Sequence, residues 1–311
     1  VNAVYHQALL AAPLFLVVVL GFGIVKLLRL PDRAAKALNK VVFNAALPLL
    51  LFHLMSGFSR LPPADFRVLA AFFGGCLLVF VIGRTTGTRL LGLDGVGGSI
   101  LGIGSVFSNN VMLGLPLAQM VLGPSAIPSV TLVLVFNALI LWTLITVAVE
   151  WARHGSPSWK GLAKTLVHVT ANPILWGIAA GLAWNATGWT FAPPVETVLG
   201  WVSAGAGPLA LLSLGMGLAG YPVGKEWKVT GALTLLKLVV HPLVVWALAA
   251  LLGLPPLETK VVVLLASIAV GANVYLMSRQ FGSLEVPVSQ GLLVSTLLSA
   301  LTTPLFLAVV P

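Results

Sequence analysis

The sequence predicts an all-α polytopic membrane protein, with ten transmembrane helices in two inverted five-helix repeats. Three observations lead there. Of 311 residues, 59% are hydrophobic and 8% charged, and the mean hydropathy is +1.05, whereas a soluble domain carries about a quarter charged residues. The apolar residues gather into ten stretches, each near the ~20 residues that a bilayer-crossing helix needs. Two of those stretches, the fourth and the ninth, are interrupted by uncharged polar residues at matching places in the two halves.

The spans fall near 7–28, 36–55, 67–91, 96–121, 127–149, 163–184, 195–218, 229–252, 258–281 and 287–310. No small-residue cleavage pattern precedes the first, so it reads as a retained helix rather than a leader. With the N-terminus placed outside, thirteen Lys and Arg lie on the inner side. Only Arg60, Arg67 and Lys260 lie on the outer side, and Lys237 is left inside the eighth span. This positive-inside bias predicts a multi-pass cell-membrane protein with both termini extracytoplasmic. It also accounts for the pI of about 10.1. The basic residues are dispersed over short loops and line no face with interleaved aromatics, so the expected partner is lipid and not nucleic acid. The single cysteine, Cys76, excludes an intrachain disulfide.

The fourth span contains Ser108-Asn109-Asn110-Val111 followed by Gly114-Leu115-Pro116, and the ninth contains Gly271-Ala272-Asn273-Val274. Asn110 and Asn273 are 163 residues apart; Pro48 and Pro208, in Ala-Leu-Pro-Leu and Ala-Gly-Pro-Leu contexts, are 160 apart. Two landmarks thus give nearly one offset. Five spans per half is an odd number, so the second half enters from the opposite side. The predicted domains are a first repeat over 1–150, a short cytoplasmic linker over 151–162 and a second repeat over 163–311.

Broken helices leave N–H and C=O groups that bilayer cannot satisfy, so they survive only against protein or a water-filled cavity. A matched pair of them points to a transporter's binding site near the midplane. Helix N-terminal ends there favour an anion. Asn109, Asn110 and Asn273 add amides, which hold a carboxylate without a full counter-charge. Met112, Pro116 and Tyr275 are further candidates for lining this site; plain helix packing is the alternative for them.

All eight acidic residues, Asp32, Asp65, Asp94, Glu150, Glu196, Glu226, Glu258 and Glu285, fall in loops or at span ends. A cation-coupled carrier usually buries a carboxylate, so sodium coupling is not expected. Lys237 and His241 lie deep, at i and i+4 of the eighth span. Two readings stand: charge balance or proton coupling for the substrate, or a strut bonded to backbone carbonyls. His53 and His168 read as packing or interface residues. No His-Glu cluster, paired intramembrane acid or Cys-x-x-Cys supports a metal site or hydrolysis, and Gly102-Ile103-Gly104-Ser105 lacks the context of a phosphate loop. Neither a cofactor nor enzyme activity is expected.

These segments also resemble the auxin efflux carrier family, which includes plant auxin carriers and bacterial malonate-type permeases. The likeness runs through Leu38-Asn39-Lys40-Val41-Val42-Phe43, Pro48-Leu49-Leu50-Leu51-Phe52-His53, Ser108-Asn109-Asn110 and Gly114-Leu115-Pro116-Leu117. It continues through Asn172-Pro173, Gly207-Pro208-Leu209-Ala210-Leu211, Lys237 with Pro242, and Ser295-Thr296-Leu297-Leu298-Ser299. The resemblance implies crossover helices 4 and 9 and a homodimer. It implies a scaffold of spans 1, 2, 6 and 7, with spans 3–5 and 8–10 moving as an elevator. It matches Asn109 to a crossover residue that contacts substrate carboxylate, and Asn273 to its ninth-helix counterpart. The short linker after Glu150 fits a bacterial-type member.

The expectation is therefore a secondary transporter of small organic anions, auxin-like or malonate-like carboxylates, with potential-driven export and no sodium coupling. A proton-coupled dicarboxylate importer is the near alternative. A membrane receptor on a transporter fold is the distant one, since such receptors usually carry a signalling domain and the ten spans leave no room for one.

Overall fold

The computed structural model describes residues 2–61, 63, 65–155, 163, 166, 167, 170–222 and 224–310. Regular structure among them is helical, apart from one isolated antiparallel bridge between Ser108 and Val270. Seven helices are long and apolar enough to cross a membrane: Tyr5–Leu27, Asp32–Ser56, Arg67–Leu90, Pro124–His154, Pro193–Leu218, Trp227–Leu251 and Glu285–Val309. The other three predicted spans fall short of that length. The fourth and ninth are each divided by a break, and the sixth is described as a helix over Pro173–Thr187. His168 and most of the predicted linker, 156–162, lie outside the described residues.

In chain order the helices are α1 (Asn2–Leu27), α2 (Asp32–Val41), α3 (Leu47–Ser56), α4 (Arg67–Thr85), α5 (Gly95–Gly104), α6 (Leu115–Val121) and α7 (Ile127–His154). They continue as α8 (Pro173–Thr187), α9 (Pro193–Leu218), α10 (Trp227–Leu235), α11 (His241–Leu251), α12 (Pro256–Ser267), α13 (Ala272–Phe281) and α14 (Glu285–Val309).

Prolines explain three of the four π turns among the described residues; the fourth, Thr86–Leu90, has no proline beside it. Widened π turns at Val42–Ala46, Asn110–Gly114 and Leu236–Val240 each end two residues before Pro48, Pro116 and Pro242 respectively. Proline has no N–H to donate and its ring clashes with the carbonyl four residues earlier; a wider turn relieves that clash without breaking the helix. Asn44, Met112 and Leu238 hold those i−4 carbonyls. Two of the three, Asn44 and Met112, line the cavity described below.

The helices pack in two groups that α1 joins. α1 lies along α9, with α2 also on α9 and α3 along α8 and α9; in the second group α4 packs on α5 and α11, α5 on α7, α11 on α12, and α14 on α10 and α12. α1 also lies along α14 and so links the two. In lipid, where apolar burial drives little association, close backbone approach through small residues is the main adhesive. Gly215 of α9 illustrates it: a Cβ there would lie 1.9 Å from the Val18 carbonyl oxygen of α1. Gly177 and Gly181 bring α8 equally close to the backbone of Pro48 and Phe52 on α3. His53 further ties α3 to α9, with Ser203 Oγ 2.8 Å from Nδ1 and Glu196 Oε1 3.1 Å from Nε2.

Candidate functional site

The two breaks, after α5 and after α12, pass against each other as extended chain. Asn109 N–H donates to the Ala269 carbonyl at 3.0 Å, and Gly271 N–H donates to the Phe107 carbonyl at 2.7 Å. Val270 N–H donates to Ser295 Oγ at 3.1 Å. Backbone groups stranded by the helix breaks thus satisfy one another inside the protein, as burial in an apolar medium demands. Glycine is required at 271, where a Cβ would come within 3.0 Å of the Ser108 carbonyl oxygen and 2.9 Å of the Phe107 ring.

Beside this crossing lies a cavity of about 360 Å3, within the range of small-molecule sites. One wall comes from the first packing group: Lys36, Asn39, Lys40, Phe43 and Asn44 on α2 and its π turn, with Asn172 and Ile174 at the start of α8. The facing wall is Phe107 to Met112, Leu134, Asn137 and Ala138 of α7, and Gly271 to Asn273 with Leu276 of α13. Seven of the chain's nine asparagines line this one space: Asn39, Asn44, Asn109, Asn110, Asn137, Asn172 and Asn273.

Its electrostatics are one-sided. Among the described residues Lys36 and Lys40, one turn apart on α2, are its only charged lining residues, and no carboxylate lines it. Two helical segments begin there: α13 at Ala272, and the stretch Asn110–Val121 that runs through the π turn into α6. Both present their N-terminal ends, each worth roughly half a positive charge, to the same space. Asn110 Nδ2 donates to Asn137 Oδ1 at 3.3 Å, and Asn172 Oδ1 caps α8 by accepting from Ile174 N–H at 3.0 Å. Asn109 Nδ2 is buried with no hydrogen-bond partner among the described residues, as are Ser108 Oγ and Asn110 Oδ1. A buried amide donor in that state favours any acceptor that reaches it.

Of the residues singled out from sequence, Asn109, Asn110, Asn273 and Met112 therefore line one cavity. Pro116 and Tyr275 do not: Pro116 is buried next to Gly207 of α9, and the Tyr275 ring packs edge-on against Tyr221, centroids 4.8 Å apart. Lys237 and His241 are also elsewhere. Both are fully buried. Lys237 Nζ donates to the Ala266 carbonyl in the last turn of α12 at 2.5 Å and stands 3.4 Å from His241 Nδ1, while His241 Nε2 is 3.5 Å from Cys76 Sγ. The reading by residue missed Asn39, Asn44, Asn137 and Asn172 as a set, along with Lys36 and Lys40. The available signal was that Asn44 and Asn137 are polar residues inside apolar spans. No group of three or more His, Cys, Asp or Glu that could hold a metal ion occurs among the described residues.

Membrane-crossing helices and a cavity at a helix crossing, with no carboxylate in its lining among the described residues, fit a membrane transporter. The membrane transport protein family matches residues 8–307, and the chain belongs to it, in agreement with the resemblance to auxin efflux carriers. Among curated relatives, a putative malonate transporter of Rhizobium meliloti (strain 1021) is 28% identical over 94% of this chain and 92% of its own. Auxin efflux carrier component 8 of Arabidopsis thaliana is 23% identical over 96% of each chain. An uncharacterized transporter of Methanothermobacter thermautotrophicus is 25% identical over 93% of each. The protein is a transporter, not an enzyme.

Proposed function

We propose that the protein is a secondary transporter of small organic anions, binding a carboxylate at the crossing of the two broken helices. The observation that carries this is the cavity's composition: seven asparagines, two lysines, two helix N-terminal ends and no acid. Asn109 and Asn273 are the leading ligands and Asn110 the third. The malonate and auxin transporters among the relatives support a carboxylate as the cargo.

The same reading takes the chain as ten spans in two inverted repeats, with the breaks at Ser105–Asn109 and Ile268–Gly271 as their corresponding crossover points. Since α2 and the start of α8 line one side of the cavity and the broken helices with α7 line the other, spans 1, 2, 6 and 7 serve as a fixed scaffold, in a homodimer. Spans 3–5 and 8–10 carry the site across by an elevator movement. Lys36 and Lys40 at the cavity belong to the positive-inside set, so the cavity faces the cytoplasm and both termini are extracytoplasmic. With no buried carboxylate to hold sodium, transport is driven by the membrane potential, which contributes about 2.3 kcal/mol per charge per 100 mV to anion export.

Flux of labelled malonate and of an aryl acetate from proteoliposomes, under imposed potassium diffusion potentials, tests this. An inside-negative potential in vesicles of cytoplasm-in orientation should accelerate efflux, with no response to sodium. Flux that ignores voltage and follows a pH jump would assign proton-coupled import instead, and absence of any carboxylate flux or binding would overturn the site.

A further inference from the structure

We propose that the membrane face between α10 and α14 holds one anionic phospholipid, its phosphodiester on Lys225 and Lys228 and an acyl chain in the groove below. Two adjoining cavities carry this. A groove of about 320 Å3 is lined by Gly231, Leu235, Leu238, Val239, Val294 and Leu298, with threonines along its length. A second space of about 410 Å3, lined by Leu90, Leu91, Lys225, Glu226, Trp227 and Lys228, continues from it. Trp227 lines both, at the junction of polar and apolar chemistry where tryptophan ordinarily sits in membrane proteins.

The groove has local causes. Gly231 leaves its upper part open, since a Cβ there would meet nothing within 4 Å. Leu238 and Val239, further along the groove, belong to the π turn. Thr234 lies in this apolar groove, 7% exposed. It is placed about 10 Å along the helix from Trp227, seven residues at 1.5 Å each, at the depth of the acyl chain.

The basic rim is held in place by the protein. Ser289 Oγ donates to the Pro222 carbonyl at 2.6 Å and Gln290 Nε2 to the Gly224 carbonyl at 2.7 Å, which fastens Pro222 and Gly224 to α14. Two lysines against Glu226 leave one net positive charge, which matches the single negative charge of a phosphodiester. A zwitterionic lipid fills the groove equally well but gains less from that charge, because its own cation offsets its phosphodiester.

The test is thermal unfolding of the full chain in neutral detergent with added phosphatidylglycerol or phosphatidylcholine of identical chains. Phosphatidylglycerol should raise the midpoint about 2–4 °C more than phosphatidylcholine. The difference should vanish in Lys225→Gln/Lys228→Gln and in Gly231→Leu, which fills open space in the groove. Leu298→Trp fills the same groove from α14 and replaces Gly231→Leu if that variant misfolds. Equal shifts from the two lipids in the wild type, or a phosphatidylglycerol shift that survives groove filling, would overturn the proposal.

Discussion

The asparagine-lined cavity and the Lys237 cluster sit beside the same pair of broken helices and solve opposite electrostatic problems. At the break after α12, the Ala266 carbonyl of the last turn accepts from Lys237 Nζ. Across that break α13 begins, and its N-terminal end opens on the cavity, which asparagine amides line. The negative end is thus closed by a donor that belongs to the protein. The positive end is left to a ligand from outside. A donor fixed in the chain suits a contact that must persist, whereas amides and helix ends suit one that must form and dissociate in each cycle.

The largest effect expected from breaking this contrast is on stability. Lys237→Ala removes a fully buried side chain and strands the Ala266 carbonyl, at a cost of about 3–5 kcal/mol. Carboxylate affinity of the protein that remains folded should be unchanged. A calorimetric titration showing as large a loss of affinity as in Asn109→Ala would merge the two clusters into one site.

Asn109→Ala should do the reverse. Its amide nitrogen has no protein partner among the described residues, so the unfolding midpoint should hold while carboxylate binding weakens about 10–150-fold, the worth of one hydrogen bond to a charged group, about 1.5–3 kcal/mol. A shifted midpoint with unaltered affinity would make the residue structural.

Asn110→Ala lies between these cases, because Asn110 also bonds Asn137. It should lose about 1 kcal/mol of stability in addition to affinity. A double-mutant cycle with Asn137→Ala should show coupling for unfolding, and additive free energies would sink the assignment of that bond. Smallest of all, Lys36→Gln with Lys40→Gln should cost at most about 1 kcal/mol of binding. These lysines are exposed, so that loss should fade as salt is raised; a salt-independent loss would mean direct, desolvated contact.

Much of this architecture was legible because bilayer physics leaves few choices. An apolar stretch of given length becomes a helix, and a polar interruption such as Ser108-Asn109-Asn110 must find protein partners. The polar interruptions at Ser108-Asn109-Asn110 and Gly271-Ala272-Asn273 located both breaks in advance. The π turns were not foreseen, although three of the four end two residues ahead of a proline within a span, because proline announces a local conflict and neighbouring packing selects how it is relieved.

By itself, then, the sequence determined that the chain is helical and membrane-embedded, where its helices break, and that every acid lies in a loop or near a span end. The reason is that hydropathy, charge and proline act locally along the chain. Only the tertiary structure decided that seven asparagines from five separate segments share one cavity with Lys36 and Lys40, that Tyr275 packs edge-on against Tyr221 instead, and that Lys237 meets the end of α12. Those outcomes depend on which helix faces are brought together across the molecule, and an asparagine that lines a cavity reads the same in sequence as one that caps a helix.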